Sequence, residues 1–170
     1  NKKIIADSGL DFEKNPPRTM DDFMAALQKI KDAGYQPMAA DEGQGYVYNF
    51  FYIAAYWWVQ QNGLEPILAE DRGEANFADD QALLKALQVY QDLYSKGYLN
   101  QDVATSADSQ NKFYAGQVAL FPNGSFGVKD AQDALGVDNV GAILPPEISA
   151  DAQIKDSLIG GPGQSLVVSK

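Results

Sequence analysis

The pattern of apolar and polar positions divides the chain into helices that alternate with short strands. Phe23, Leu27 and Ile30 recur at helical spacing behind Thr19, a typical N-cap residue, and Gly34 follows them. This pattern predicts an amphipathic helix over about 20–33. Similar arguments predict further helices over 1–8, 46–61, 106–115 and 126–134, and one that runs from a cap at Asp79 or Asp80 to Gly97, with Leu83, Leu87, Tyr90 and Tyr94 on one face.

Short apolar runs between the helices indicate buried strands. They lie at 36–40, 117–121, 140–144 and 165–168, and each is bounded by Gly, Pro or polar residues. Residues 64–78 are expected to form a loop or a hairpin, and the stretch after Pro145-Pro146 a polar surface loop. Alternating strands and helices, with more helix than sheet, predict an α/β layered fold.

Composition narrows the possible functions. The chain has 170 residues, a net charge of −10 and a pI near 4.3, so it fits one domain or one large lobe and is a poor partner for nucleic acid. Without histidine there is no Ser-His-Asp or Cys-His catalysis and no His-ligated metal site. The absence of cysteine fits an exported protein, although many cytosolic domains also lack it.

Both ends of the sequence favour the interpretation that this chain is a piece of a longer protein. The chain starts at Asn1 without an initiator Met or a signal sequence, and it stops inside the apolar run 165–168. No apolar run approaches the roughly 18 residues that a membrane-spanning helix needs, and the most apolar stretch is 50–59.

The run from Phe113 to Phe126 carries the strongest functional signal. It is typical of a helix end, a glycine stop, a short buried strand and then a turn, Asn123-Gly124-Ser125, that presents the ring of Phe126. A strand that ends in this way places the turn at the carboxyl edge of the sheet, where open α/β folds bind small molecules. The pattern indicates ligand recognition more than catalysis.

Four segments in a fixed order carry a family resemblance. They are Asn-Lys-Lys at 1–3, Pro-Pro-x-Thr-x-Asp-Asp-Phe at 16–23, Phe-x-x-Gly-x-x-Ala-Leu-x-x-x-Gly at 113–124 and Gly-Gly-x-Gly at 160–163. Over essentially its whole length the chain resembles the extracellular solute-binding proteins of ABC sugar importers, the maltose-binding-protein-like family. The resemblance implies a helix-rich lobe of a two-lobed, type II periplasmic-binding-protein fold, in which a short central sheet is flanked by helices.

The same resemblance implies an organisation and partners. Residues 1–170 correspond to most of the C-terminal lobe, and 159–170 to a crossover strand toward a missing N-terminal lobe. The family's lobes close over a mono- or oligosaccharide by a hinge motion, and the closed form docks to ABC permease subunits. We therefore expect a monomeric, extracytoplasmic protein, either free in the periplasm or anchored as a lipoprotein, with no cofactor.

The resemblance also implies which residues contact the ligand. Phe126 occupies a position where the family commonly places a stacking Trp, so a Phe offers a smaller platform; the alternative is that Phe126 anchors the next helix in the core. The turn Asn123-Gly124-Ser125 lies beside it. Other candidates are the carboxylates, amide and rings of the loop that starts at Asp41, namely Asp41, Glu42, Gln44, Tyr46 and Tyr48, and two residues of the glycine turn, Gly161 and Pro162.

The same residues also have alternative interpretations. The 41–48 loop is alternatively an ordinary polar loop, and Trp57 and Trp58 are expected to pack between elements rather than to bind sugar. Adjacent carboxylates could in principle run glycosidase chemistry, but neighbours in sequence usually point apart. Two alternative functions are therefore a ligand-sensing module for a signalling partner and, less favoured, a sugar-processing enzyme.

Overall fold

The computed structural model describes residues 1–41 and 54–155, which form helices around a short parallel sheet. Three single turns of 3-10 helix, at Phe77–Asp79, Ser125–Gly127 and Val137–Asn139, connect the longer elements. In chain order the helices and strands of the described residues are α1 (Lys2–Asp7), α2 (Met20–Asp32), β1 (Gln36–Met38), α3 (Tyr56–Asn62), α4 (Glu65–Asp71), α5 (Gln81–Ser95), α6 (Ser109–Tyr114), β2 (Val118–Leu120) and α7 (Val128–Leu135).

Side-chain caps fix where the main helices begin. The Asn1 side chain accepts hydrogen bonds from the first-turn amides of α1. Thr19 Oγ1 accepts one from Asp22 N at 3.1 Å at the start of α2. Asp80 Oδ1 accepts two hydrogen bonds from first-turn amides of α5, and Asp80 Oδ2 accepts a hydrogen bond from Trp58 Nε1 at 2.7 Å. These caps satisfy amides that lack a helical partner, and Asp80 also ties α5 to α3.

The sheet has helices on both of its faces. Within the described residues it consists of β1 and β2, paired in parallel. Met38 and Ala40 belong to the main apolar core, together with residues of α1, α2, α3 and α5. Ala39 and Val118 belong to a second cluster, with residues of α6 and α7. This layering buries both faces of the parallel strands and confirms the predicted α/β architecture.

Helices α3 and α5 pack closely because alanine lines the contact. Ala82, Ala86 and Leu93 are the buried residues of α5, while Leu87 and Tyr94 of the predicted apolar face are 36% and 40% exposed. Tyr90 of the predicted face does pack against the core, so the buried face of α5 overlaps the predicted one but is turned toward Ala82 and Ala86. Small side chains let the helix backbone approach the bulky rings of α3, of which Trp57 is 2% exposed.

Three further predictions are corrected. Residues 64–78 are not a hairpin: they hold α4, whose first turn tolerates Pro66 because amides there lack helical partners, and a 3-10 turn. Residues 140–144 form no strand in the described part of the chain; 141–144 line an open cavity of about 750 Å³ beside α1 and Leu120. The loop after Pro146 is partly internal, since Ile148 donates its amide hydrogen to buried Gln60 Oε1 at 2.7 Å.

The packing of α5 gives a stability prediction. Ala86 is fully buried against the core, so Ala86→Leu should lower the free energy of unfolding by about 1–3 kcal/mol through overpacking. Leu87→Ala, one position away on the exposed face, should change it by less than about 0.5 kcal/mol. Urea denaturation of both variants measures the difference, and a larger loss for Leu87→Ala would show that the face has been assigned wrongly.

Candidate functional site

The carboxyl ends of the two strands form one edge of the sheet. The register pairs Gln36 with Val118 and Met38 with Leu120, and Ala39 N donates to Leu120 O at 3.3 Å. Asp41 follows β1 by the same number of residues as Asn123 follows β2. Because parallel strands end together, the two segments that carry these residues leave the sheet side by side.

The turn after β2 presents an aromatic ring to solvent. Asn123 Oδ1 accepts a hydrogen bond from Gly124 N at 2.8 Å, and Gly127 N donates to Gly124 O at 3.0 Å. A Cβ added to Gly124 would lie 2.3 Å from Cε1 of Phe126, so the ring lies directly over that glycine. The ring is nevertheless 73% exposed, and Ser125 beside it is also exposed. Phe126 therefore does not anchor the next helix in the core, which was the alternative interpretation.

Asp41 lies at the start of α6. Both of its carboxylate oxygens are 3.1 Å from the backbone nitrogen of Ser109, which donates to them. Ser109 is the first residue of α6, and its amide hydrogen has no partner within that helix. An ionised carboxylate offers about four acceptor positions, so bonding to the Ser109 amide does not by itself preclude hydrogen bonds to a ligand. The half-buried side chain is thus held in place by the protein.

Two residues that sequence reasoning missed hold the backbone just before Asp41. Asn100 Oδ1 accepts a hydrogen bond from Ala40 N at 2.9 Å, and Ser109 Oγ donates to Ala40 O at 3.0 Å. Asn100 is 8% exposed and Ser109 is fully buried. Local sequence gives little signal of this role, because the partners are far apart along the chain. The predicted helix over 106–115 begins only at Ser109, which the sequence placed inside it.

A compact charged group lies beside these residues. Asn100 Nδ2 donates to Asp102 Oδ1 at 2.7 Å, and Lys112 Nζ lies 3.3 Å from Asp102 Oδ2 and 3.0 Å from Asp108 Oδ1. The hydrogen bond from Asn100 is the main cause that holds the pKa of the Asp102 carboxyl below its ordinary value, and Lys112 does the same for the pKa of Asp108. These exposed pairs fix the loop before α6 rather than forming a binding centre.

The structure describes only some of the predicted site residues. Asp41 and the turn from Asn123 to Phe126 lie at the same edge of the sheet. Six other candidates lie outside the described residues: Glu42, Gln44, Tyr46, Tyr48, Gly161 and Pro162.

The remaining sequence predictions concern packing, metals and membranes. Trp57 and Trp58 pack between elements, as expected: Trp57 Nε1 donates to Pro146 O at 3.1 Å, and the ring of Trp58 meets Phe77 edge to face. In residues 1–41 and 54–155 no group of three or more acidic, cysteine or histidine side chains could hold a metal ion. The same residues contain no helix long and apolar enough to cross a membrane.

Comparison with known proteins extends over the whole chain. Residues 1–170 match the family model described as bacterial extracellular solute-binding protein. None of the curated proteins searched matches this chain. The family and the structural neighbours are binding proteins.

Solved structures share the fold. A chitin oligosaccharide binding protein is 29% identical, with a TM-score of 0.78 over 89% of this chain and 38% of that chain. The bacterial solute receptor AcbH, described as preferring β-D-galactopyranose, is 17% identical, with a TM-score of 0.69 over 86% of this chain and 36% of that chain. A sugar transporter from Bacillus licheniformis in complex with stachyose is 17% identical, with a TM-score of 0.65 over 93% and 41%.

These comparisons confirm the predicted fold class, a helix-rich lobe with a short parallel sheet. The chain spans about two fifths or less of the length of the solved structures that it matches.

The contact between Gly124 and Phe126 gives a prediction about the turn. Gly124→Ala should displace the ring of Phe126, because the new methyl group would occupy the ring's position. NMR should show shifted ring signals for Phe126, with the unfolding midpoint changed by only a few degrees because the ring is exposed.

A matched control for that variant is Gly141→Ala, whose Cβ would meet only the flexible Lys2 side chain. It should leave the Phe126 signals in place. Unchanged ring signals in Gly124→Ala would mean that the ring does not lie over this glycine.

Proposed function

The chain belongs to the family of bacterial extracellular solute-binding proteins, and we propose that it binds a mono- or oligosaccharide for an ABC importer without transforming it. The observation that carries this proposal is that an exposed aromatic ring and an anchored carboxylate follow the carboxyl ends of two paired strands. Phe126 supplies the ring and Asp41 the carboxylate.

The chemistry of a pyranose fits this pair of groups. A sugar ring has an apolar C–H face and a rim of hydroxyl groups, and amphipathic pockets match such a ligand. Phe126 would stack against the C–H face, while Asp41 accepts hydrogen bonds from hydroxyl groups. A hydrogen bond to a charged group contributes about 1.5–3 kcal/mol, which is enough to discriminate between stereoisomers. Asn123, Gly124 and Ser125 offer further polar groups beside the ring.

The ligands of the structural neighbours support the proposal that the ligand is a carbohydrate. The three solved structures described above are a chitin oligosaccharide binding protein, a receptor described as preferring galactopyranose and a protein complexed with stachyose. Their ligands range from a single pyranose to an oligosaccharide, so the proposal covers the carbohydrate class rather than one sugar. The candidates Glu42, Gln44, Tyr46, Tyr48, Gly161 and Pro162 stay predictions of the same site.

The proposal includes a place in a larger protein. Residues 1–170 would form most of the C-terminal lobe, and 159–170 would lead toward an N-terminal lobe across the ligand cleft. The two lobes would close by a hinge motion, and the closed form would dock to a permease in the membrane. Such a protein acts outside the cytoplasm, as a free or lipid-anchored monomer, and needs no cofactor.

The proposal is tested by calorimetry of the full-length protein that contains this chain. A panel of mono- and oligosaccharides, with a peptide and a polyamine as non-sugar probes, should give binding for at least one sugar. Phe126→Ala should weaken that binding about tenfold or more, which corresponds to roughly 1.4 kcal/mol, because the stacking surface is removed. Phe126→Trp should bind at least as tightly as the wild type.

Leu64→Ala is the matched control. Like Phe126, Leu64 is a large exposed apolar residue, at 59% exposure, but it lies between α3 and α4 rather than after a strand of the sheet. Its affinity should equal that of the wild type. Binding of the peptide or the polyamine with no response to any sugar would end the carbohydrate assignment.

A further inference from the structure

Side chains bond the backbone at the end of β1. Ala40, which follows β1 and Ala39, has both of its backbone polar groups bonded to side chains: Asn100 accepts from its amide and Ser109 donates to its carbonyl. Ala40 itself is fully buried. A buried backbone group without a partner costs free energy comparable to a lost hydrogen bond, so these two side chains decide where the chain leaves the sheet.

Ser109 holds two consecutive residues at once. Its hydroxyl group donates to Ala40 O, while its backbone amide donates to both carboxylate oxygens of Asp41. Neither contact can shift without disturbing the other, because both come from one residue at the start of α6. A second hydroxyl, Ser106 Oγ, lies 3.3 Å from Ser109 Oγ and shares the buried site.

Asn100 is itself fixed from the far side. Its Nδ2 donates to Asp102, whose other carboxylate oxygen lies near Lys112 of α6. The amide group is therefore oriented with its oxygen toward Ala40 and its nitrogen toward Asp102. A network of polar contacts thus connects α6, the 100–108 loop and the end of β1.

We propose that Asn100 and Ser109 are positioning residues for the sugar site: they set the place of the Asp41 carboxylate relative to the Asn123–Phe126 turn without touching the ligand. This inference rests on the proposed function. A carboxylate that must meet one hydroxyl group of a rigid ring has to be held to within a fraction of an ångström, and supporting hydrogen bonds supply that precision. Loss of either side chain frees the end of β1 and misplaces Asp41.

The test measures saccharide affinity and stability together in the full-length protein. Ser109→Ala removes the hydroxyl donor but keeps the amide that bonds Asp41. Asn100→Asp keeps the oxygen that accepts from Ala40 N but sets a carboxylate against Asp102. Each variant should weaken binding of the tightest sugar at least fivefold. Combining Asn100→Asp with Asp102→Asn restores a donor and an acceptor at that contact and should recover most of the affinity.

Gln60→Leu is the matched control. Gln60 lies on α3, is 1% exposed and accepts a hydrogen bond from Ile148 N at 2.7 Å, and its amide nitrogen donates to Tyr56, so its side chain bonds neither Ala40 nor Ser109. Its loss should lower the thermal midpoint at least as much as Ser109→Ala does, while the affinity stays within twofold of the wild type.

The outcomes distinguish failure of the positioning role from failure of the proposed function. If the wild type binds a sugar and the variants at Asn100 and Ser109 bind it equally well, whatever their stability, the positioning role is refuted and the proposed function stands. An affinity loss in Gln60→Leu as large as in Ser109→Ala would also refute it, because general destabilisation would then explain the effect. If the wild type binds no sugar, the proposed function fails and the positioning role fails with it.

Discussion

The parallel pairing of β1 and β2 is the constraint on which the candidate site depends. Its register sets Met38 beside Leu120, so that the segments leading to Asp41 and to Phe126 start from neighbouring points on one edge. Since side chains alternate between the faces of a strand, a slip of one residue would exchange the buried sets, sending Met38 toward α6 and α7 and Ala39 toward the main core. The different volumes of these two side chains help to specify the observed register.

Two strands this short are not stable without support. An isolated two-stranded unit is marginal in water, and here the helices on both faces bury the pair. The polar contacts at the strand end complete this support, because Asn100 and Ser109 bond Ala40 after the ladder stops. The same elements that stabilise the sheet thus also orient the carboxylate at its edge.

The two halves of the candidate site differ in how they are held. Asp41 is anchored by hydrogen bonds to α6, whereas the ring of Phe126 lies on a short glycine-bearing turn and is mostly exposed. An anchored polar group gives directional specificity, and an exposed ring gives contact area. In a two-lobed protein the opposite lobe would cover the ring and remove water from it, which is why one lobe by itself should bind a sugar only weakly.

Local signals in the sequence predicted much of the fold. Thr19, Gly34 and the pair Asp79-Asp80, of which Asp80 is the cap, correctly predict helix ends, and apolar runs predict both strands of the sheet, because caps and apolar runs are local features. The sequence does not predict that Leu87 and Tyr94 of α5 are exposed, because the preference for alanine over leucine at the contact with tryptophan depends on a partner helix. The support of Asp41 by Asn100 and Ser109 was missed for the same reason: only the folded chain brings these residues together.

The most direct test of this account is a crystal structure of the full-length protein with its saccharide bound. The account predicts one pyranose ring in contact with both residues, with its C–H face on the ring of Phe126 and a hydroxyl group donating to the Asp41 carboxylate. A saccharide bound away from the carboxyl edge of β1 and β2, or one that touches neither side chain, would contradict it.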